Sequence, residues 1–255
     1  MKTYAGFLID LDGTIYRGNQ KIDSAVRFVN RLAKFGKPYG FVTNNSSKTP
    51  RQVAERLRKF GVEAREEQII TSSIAAANYI YEEKKDASIY MIGEKGLEEA
   101  LTDKGFCIRD DNPDVVVMGI DRKITYEKLA KACLFVGRGA AFIATNEDKA
   151  LPTERGFLPG NGSLTAVVSS TTGIEPVFVG KPRPMMIEQA LNVLGVSKEQ
   201  ALMIGDNYKT DILSGVHAGM DTMLVLTGVT KKAMIASAAI QPTYIVESLD
   251  EWPIE

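Results

Sequence analysis

Residues 7–14 read FLIDLDGT, a short apolar run followed by two aspartates, a glycine and a threonine. The run Phe7-Leu8-Ile9 has the length and composition of a buried β-strand. Similar apolar runs recur along the chain and alternate with longer segments of helical periodicity, of which residues 23–35 are the first. This alternation is typical of an α/β fold built on a mostly parallel sheet.

The same alternation of apolar runs and helical segments predicts further strands and helices along the chain. The other predicted strands are residues 39–42, 69–70, 89–92, 115–118, 141–144, 177–179, 202–204 and 222–226. Helices are predicted near residues 23–35, 50–60 and 74–81. The charged stretch 82–86 (EEKKD) indicates a surface connection between two domains, and residues 152–162, rich in glycine and proline, are predicted to form a long loop.

Composition excludes several classes of protein. The chain has 255 residues, of which 44% are hydrophobic and 25% charged, so it can form one large α/β domain or two smaller ones. The 31 basic residues face 32 acidic residues, and with no basic excess we expect no nucleic-acid partner. No apolar run approaches the roughly 18 residues that a membrane helix requires, and no signal peptide is evident. We therefore expect a cytoplasmic protein without a membrane partner.

The cysteine and histidine contents limit the possible chemistry. Cys107 and Cys133 are the two cysteines, and their apolar neighbours predict buried, reduced thiols. The single histidine, His217, excludes zinc sites built from several histidines. The chemistry must then use carboxylates, lysines, hydroxyls or a hard metal ion.

Polar side chains follow four of the predicted strands. Ligands of open α/β sheets bind at the carboxyl ends of the strands, so these side chains are candidates for a single site. Singly, each also occurs in ordinary turns and helix caps, but their order and common position favour a joint function. They are Asp10, Asp12 and Thr14, then Thr43 and Asn44, then Lys181, and finally Asp206 and Asp211.

These residue types can transfer a phosphoryl group. Asp10 can attack phosphorus and form an acyl phosphate, while Asp12 can protonate the leaving oxygen and later take a proton from water. Two unit charges about 4 Å apart repel by roughly 1 to 4 kcal/mol, so the attack of a carboxylate on a phosphate requires a nearby cation. Asp206 beside Asp10 can supply oxygen ligands for Mg²⁺. Lys181 can neutralise further charge.

Two more groups can contact the transferred phosphoryl group, because the Thr43 hydroxyl and the Asn44 amide can donate hydrogen bonds to its oxygens. The leading hypothesis from these residues is a Mg²⁺-dependent phosphomonoester hydrolase that acts through a phosphorylated Asp10. A phosphotransferase or mutase with the same nucleophile is a second possibility. A third is a receiver-type phosphorylation switch, against which the length of the chain argues.

The strand-end motifs resemble those of the haloacid dehalogenase superfamily. The similarity is greatest to the NagD-like, p-nitrophenylphosphatase-type subfamily (class IIA), and in particular to bacterial YutF-type phosphatases. It covers essentially the whole chain. The stretches that carry it are DLDGTIYRG (10–18), TNNSS (43–47), PGNGS (159–163), GKP (180–182) and GDNYKTDI (205–212).

The resemblance implies a Rossmann-like core, residues 1–80 and 178–255, with an inserted α/β cap domain, residues 81–177. It implies Mg²⁺ held by Asp10, the backbone carbonyl of Asp12, and Asp206, with Asp211 in a supporting role, to which we add Thr14. Asn207 joins Thr43, Asn44 and Lys181 as a substrate-binding candidate. Substrates in this subfamily are small phosphomonoesters, often sugar or acid-sugar phosphates.

The cap domain is expected to determine substrate specificity. Asn146, Asp148 and Arg155 are its candidate contacts, and the Arg155 guanidinium matches a carboxylate-bearing sugar phosphate. Arg155 can equally be a solvated loop residue. The sequence leaves both a monomer and a cap-mediated dimer open.

Overall fold

The computed structural model describes residues 2–153 and 155–254. Its strands are β1 (Gly6–Ile9), β2 (Tyr16–Arg17), β3 (Gln20–Lys21), β4 (Tyr39–Thr43), β5 (Ile69–Thr71), β6 (Ser88–Ile92), β7 (Cys107–Ile108), β8 (Val115–Met118), β9 (Ala141–Ala144), β10 (Ala150–Thr153), β11 (Gly156–Pro159), β12 (Val177–Phe178), β13 (Ala201–Gly205), β14 (Asp221–Val225) and β15 (Tyr244–Val246).

The α-helices alternate with these strands, as the sequence predicts. They are α1 (Asp23–Lys34), α2 (Pro50–Lys59), α3 (Ser72–Glu83), α4 (Lys95–Asp103), α5 (Tyr126–Gly137), α6 (Asn161–Thr172), α7 (Met185–Leu194), α8 (Leu213–Ala218) and α9 (Lys232–Ile235). Within the described ranges, none of them has the length and apolar character that crossing a membrane requires. The α/β fold class is confirmed.

The chain divides into two compact units. Unit 1 contains Met1–Thr43, Pro50–Ile70 and Lys181–Glu255, and unit 2 contains Asn44–Thr49 and Thr71–Gly180. These limits differ from the sequence-based division, because residues 44–49, 71–80 and 178–180 belong to unit 2. The charged stretch 82–86 therefore lies inside unit 2, at the end of α3.

Unit 1 is built on a six-stranded sheet with the order β15-β14-β13-β1-β4-β5. β1 lies between β13 and β4 and runs parallel to both. All residues of these three strands are buried, which explains why they are continuous apolar runs rather than alternating patterns. The strand order changes direction at β1, so the residues that follow β1 and β13 lie at the point where such sheets bind ligands.

Unit 2 contains a second sheet, with the order β12-β9-β8-β6-β7 and parallel pairing throughout. The central strand β8 is fully buried. Two sequence predictions are wrong at the edges of this sheet. Val177, predicted to be buried, is exposed because β12 is an edge strand, and Cys107, predicted to be a buried thiol, is exposed on the opposite edge strand β7, while Cys133 is half-buried.

Residues 150–153 and 156–159 pair as an antiparallel hairpin, where the sequence predicted a long loop. β10 and β11 pair from Ala150 with Pro159 to Thr153 with Gly156. The prediction failed because proline argues against a central strand, whereas a two-stranded ribbon has only edges and tolerates Pro152 and Pro159. Gly156 has a φ of 106°, a left-handed backbone that glycine adopts without strain.

The short segment Asn44–Thr49 is anchored in unit 2 by buried serine hydroxyls. The Ser73 hydroxyl donates to the backbone carbonyl of Ser46 at 2.9 Å, and the Ser72 hydroxyl donates to that of Asn44 at 2.8 Å. The Ser46 hydroxyl in turn accepts the backbone N–H of Ile120 at 3.0 Å. These bonds explain why a segment that follows β4 directly belongs to unit 2.

We expect Ser46→Ala to lower the free energy of unfolding by about 1 to 3 kcal/mol, because it leaves the buried N–H of Ile120 without its acceptor. Thermal and urea unfolding of the purified protein measure the change. The matched control is Ser170→Ala, which removes a hydroxyl from an exposed position of α6. Equal stability of the two variants would contradict the role given to the Ser46 hydroxyl.

Candidate active site

The polar residues at the strand ends of unit 1 meet at one edge of its sheet. Asp10 follows β1 and is held there by a backbone hydrogen bond, in which its N–H donates to the carbonyl of Ile204 in β13 at 2.9 Å. Asp206 follows β13 directly, and Thr43 is the last residue of β4. The parallel pairing of these strands therefore puts residues distant in sequence side by side, as the sequence analysis expected.

Lys181 lies at the centre of the cluster and is 2% exposed. Its ammonium group donates to Asp10 Oδ1 at 2.5 Å, to Asp211 Oδ1 at 2.7 Å and to the backbone carbonyl of Val42 at 3.1 Å. Burial lowers the pKa of Lys181, but the charges of Asp10 and Asp211 outweigh burial, and the net shift of the pKa is upward. The side chain is therefore a fixed positive charge.

Asp10, Asp206 and Asp211 form a buried acidic cluster in which one carboxylate oxygen from each residue lies within 4.8 Å of the other two. When ionised, they place three negative charges against the single positive charge of Lys181. Burial and the charge of Asp211 raise the pKa of Asp10 well above its ordinary value. The same two causes raise the pKa of Asp206 to about 6. The cluster lacks positive charge, which a bound cation can supply.

Asp206 is oriented from two sides. The Thr14 hydroxyl lies 3.4 Å from its Oδ1, at the outer limit of a hydrogen bond, and the backbone N–H of Val229 donates to its Oδ2 at 2.6 Å. Sequence reasoning missed Val229 and the loop around it. Residues 227–230 follow β14 at the same sheet edge, so the rule that selected the other strand ends could have found them.

Asp12 lies beside the cluster and, unlike Asp10, is exposed. Its Oδ2 accepts a hydrogen bond from the Tyr16 hydroxyl at 3.3 Å. The Arg56 guanidinium stacks over the Tyr16 ring, 4.1 Å from the ring centre, and is a further contact that the sequence analysis did not foresee. Desolvation by the surrounding protein raises the pKa of the Asp12 carboxyl group, and the charge of Arg56 offsets part of the rise. A raised pKa favours proton donation.

Asn207 and Asp211 belong to one turn that begins directly after Asp206. The Asn207 backbone N–H donates to Asp211 Oδ2 at 2.9 Å, and the Asn207 side chain accepts the N–H of Lys209 at 3.0 Å. The side-chain oxygen of Asn207 thus caps the turn over Tyr208–Ile212. Asp211 is held by this N–H and by Lys181, which suits a supporting residue.

Four further candidates lie in unit 2. The Asn44 amide donates to Asp148 Oδ2 at 3.1 Å, and the Asn146 amide donates to the Asn44 carbonyl at 2.9 Å. Asn146 is buried, whereas Arg155 is exposed in the hairpin between β10 and β11. The structure thus brings Asn44, Asn146 and Asp148 together and exposes Arg155 in the hairpin.

The buried acidic cluster has the oxygen ligands of a site for a hard cation. Three carboxylates at this spacing can hold a metal ion, and oxygen-only ligands suit Mg²⁺, Ca²⁺ or Mn²⁺ rather than a thiolate-binding metal. A lysine held beside carboxylates is an arrangement that can serve phosphoryl transfer.

The chain belongs to the haloacid dehalogenase family of hydrolases. Residues 7–107 match the family described as haloacid dehalogenase-like hydrolase, and residues 178–252 match the one described as HAD-hydrolase-like. It is an enzyme of this type, a phosphatase, and the resemblance noted from the strand-end motifs is confirmed.

Individual relatives extend over the whole chain. The 5'-nucleotidase YutF of Bacillus subtilis is 55% identical over 252 residues, which cover 99% of this chain and 98% of the relative. An acid sugar phosphatase of Staphylococcus aureus is 49% identical over 252 residues, or 98% and 97% of the two chains. A double mutant of the thermostable NPPase of Geobacillus stearothermophilus superimposes with a TM-score of 0.94 at 54% identity, with 99% of each chain covered. NagD is also among the structures that match. These relatives are phosphatases, so the receiver-type switch has no support.

Proposed function

We propose that this phosphatase hydrolyses small phosphomonoesters through a covalent phosphate on Asp10 and requires Mg²⁺. The observation that carries the proposal is the buried cluster in which Lys181 bridges Asp10 and Asp211 beside Asp206. Burying three carboxylates with one lysine is costly unless the site also binds a cation and its anionic partner. The cluster therefore favours a binding function over a purely structural one.

In the proposed first half-reaction, a carboxylate oxygen of Asp10 forms a bond to phosphorus and the bond from phosphorus to the ester oxygen breaks. Asp12 transfers its proton to the leaving oxygen, so that the product departs as a neutral alcohol. In the second half-reaction a water oxygen attacks the same phosphorus, Asp12 takes the proton of this water, and the bond from Asp10 to phosphorus breaks. Inorganic phosphate leaves and both aspartates regain their starting states.

Lys181 and the end of β4 are proposed to hold the phosphoryl group. The ammonium of Lys181 is fixed by three acceptors, and Thr43 ends the strand whose Val42 carbonyl is one of them. A charge that is already oriented stabilises a transition state without reorganisation cost. Asn44 and Asn207 are the remaining candidates for contacts to phosphoryl oxygens.

The metal is proposed to bind through Asp10, the backbone carbonyl of Asp12, and Asp206, with Thr14 and Asp211 supporting these ligands. The fit rests on the excess of buried negative charge in the cluster. When bound, Mg²⁺ would offset the repulsion between the negative charge of the Asp10 carboxylate and that of the phosphate. Asp211 already shares its two oxygens between Lys181 and the N–H of Asn207, which supports a role behind the ligands rather than among them.

Unit 2 is proposed to act as the cap that selects the substrate. One relative is named a 5'-nucleotidase and another an acid sugar phosphatase. Nucleoside monophosphates and acid-sugar phosphates are therefore the two substrate classes to compare. Sugar and acid-sugar phosphates are the class we favour, with Asn146, Asp148 and Arg155 as specificity candidates. Equal loss of activity on acidic and neutral sugar phosphates in Arg155→Ala would remove Arg155 from this list.

We expect phosphate release from a panel of these esters to stop on addition of a chelator and to return with Mg²⁺. During turnover, acid quenching should trap labelled phosphate on the chain as an acyl phosphate that hydroxylamine releases. Phosphate release that persists in chelator would contradict the metal requirement, and a chain without label would contradict the covalent step. An added acceptor alcohol separates hydrolysis from phosphotransfer, because a transferase would phosphorylate the alcohol.

A further inference from the structure

Residues 227–230 (TGVT) form a loop after β14 that contacts both acidic motifs of unit 1. We call it the 227–230 loop. It holds none of the residues proposed to touch phosphate or metal. Its contacts nevertheless converge on Asp206 and on the turn that follows Asp10.

The loop holds Asp206 through two backbone groups. The N–H of Val229 donates to the Asp206 carboxylate at 2.6 Å, and the N–H of Thr230 donates to the Asp206 backbone carbonyl at 3.1 Å. These bonds fix both the position of the residue and the rotation of its carboxylate. A carboxylate held by a backbone N–H keeps its remaining lone pairs in a defined direction.

Gly228 permits this close approach. A Cβ atom added at Gly228 would lie 1.9 Å from Asp206 Oδ2, and one added at Gly13 would lie 2.4 Å from the same oxygen. The carboxylate of Asp206 thus lies between Gly228 of the 227–230 loop and Gly13 of the turn after Asp10. Any side chain at position 228 must displace either the loop or the carboxylate.

The same loop is tied to the turn after Asp10. The Thr227 hydroxyl donates to the Gly13 carbonyl at 2.7 Å, and the Arg17 guanidinium donates to the Thr227 carbonyl. On the other side, the Thr230 hydroxyl accepts the N–H of Tyr208, two residues beyond Asp206. The loop therefore connects the turn after Asp10 with the turn after Asp206.

We propose that the 227–230 loop is a positioning element of the phosphatase and that Gly228 is its positioning residue. The absence of a side chain at Gly228 allows the loop to orient Asp206 for metal binding. The inference rests on the proposed function, in which Asp206 is a metal ligand. Residues that orient a ligand typically change metal affinity by about 10- to 100-fold when they are lost.

The test is metal binding by the purified full-length protein, measured with Mn²⁺ through the paramagnetic resonance signal of the free ion. We expect Gly228→Ala to weaken Mn²⁺ binding by at least about 10-fold. The concentration of Mg²⁺ that gives half-maximal activity should rise by a similar factor. Gly137→Ala is the matched control, because a Cβ there meets no atom within 4 Å in the described part of the chain.

Asp206→Asn separates this inference from the proposed function. If Asp206→Asn loses Mn²⁺ binding while Gly228→Ala keeps the wild-type affinity, the inference is overturned and the metal assignment stands. If Asp206→Asn itself binds Mn²⁺ normally, the assignment of Asp206 fails and the inference falls with it. Should Gly228→Ala not fold, Thr227→Val decides, because it removes only the bond to the Gly13 carbonyl. A few-fold weaker affinity is then expected, and unchanged affinity overturns the inference.

Discussion

Asp10→Asn should reduce phosphate release by at least about 10⁴-fold, because the amide cannot form the bond to phosphorus. The fold should survive the change. Lys181 keeps Asp211 and the Val42 carbonyl as acceptors, and the cluster loses one of its three negative charges. We therefore expect the unfolding temperature to stay within a few degrees of the wild-type value. Steady-state assays on the best substrate and thermal unfolding measure the two effects.

The matched control for this prediction is Asp86→Asn, which makes the same chemical change at an exposed position of unit 2. It should keep wild-type activity. Labelled phosphate should be absent from the acid-quenched Asp10→Asn chain and present on the control. Near-normal turnover by Asp10→Asn on any accepted ester would show that another group is the nucleophile.

Lys181→Met should lower kcat by about 10²- to 10³-fold and also destabilise the protein. The substitution removes the bridge between Asp10 and Asp211 and leaves their carboxylates buried without a counter-charge. Breaking a buried ion pair from one side costs about 3 to 5 kcal/mol. Unlike Asp10→Asn, this variant should therefore unfold at a clearly lower temperature. The comparison of the two melting curves tests the charge balance of the cluster.

Two further variants define the role of this lysine. Lys232→Met changes an exposed lysine at the start of α9 and should leave both activity and stability unchanged. Lys181→Arg restores the charge but places a larger, planar group in a site that is 2% exposed, so it should recover little activity. Full recovery with arginine would mean that charge alone is sufficient. Wild-type stability of Lys181→Met would contradict the bridging role.

The position of the cluster could be predicted because it follows from sheet geometry. Apolar runs identified the strands, and parallel pairing of β1 and β13 brings Asp10 next to Asp206. The same rule does not account for Lys181, because the strand before it, β12, lies in the sheet of unit 2. The bridging of Asp10 and Asp211 by this lysine could not be predicted, because it depends on side-chain directions that no local pattern encodes.

Other features were missed because their cause is tertiary. Residues 150–153 and 156–159 contain proline and glycine, and they pair as a hairpin because, in the described part of the chain, they form a two-stranded sheet of their own. The segment Asn44–Thr49 looks like a helix-capping loop in sequence, but its partners Ser73 and Ile120 are far along the chain. The strand-end rule could have located the 227–230 loop, but not its role, because the close approach of Gly228 to Asp206 is a tertiary contact.

The attachment of Asn44–Thr49 to unit 2 bears on attempts to change specificity by exchanging domains between relatives. Replacing residues 71–180 alone would pack the segment Asn44–Thr49 against residues of another protein. The Ser46 hydroxyl would then lose the hydrogen bond from the Ile120 N–H. A domain exchange must therefore use two separate pieces of chain, Asn44–Thr49 and Thr71–Gly180. Its first junction falls between Thr43 and Asn44 and its last between Gly180 and Lys181, so both junctions adjoin residues that the proposed function assigns to the phosphoryl group.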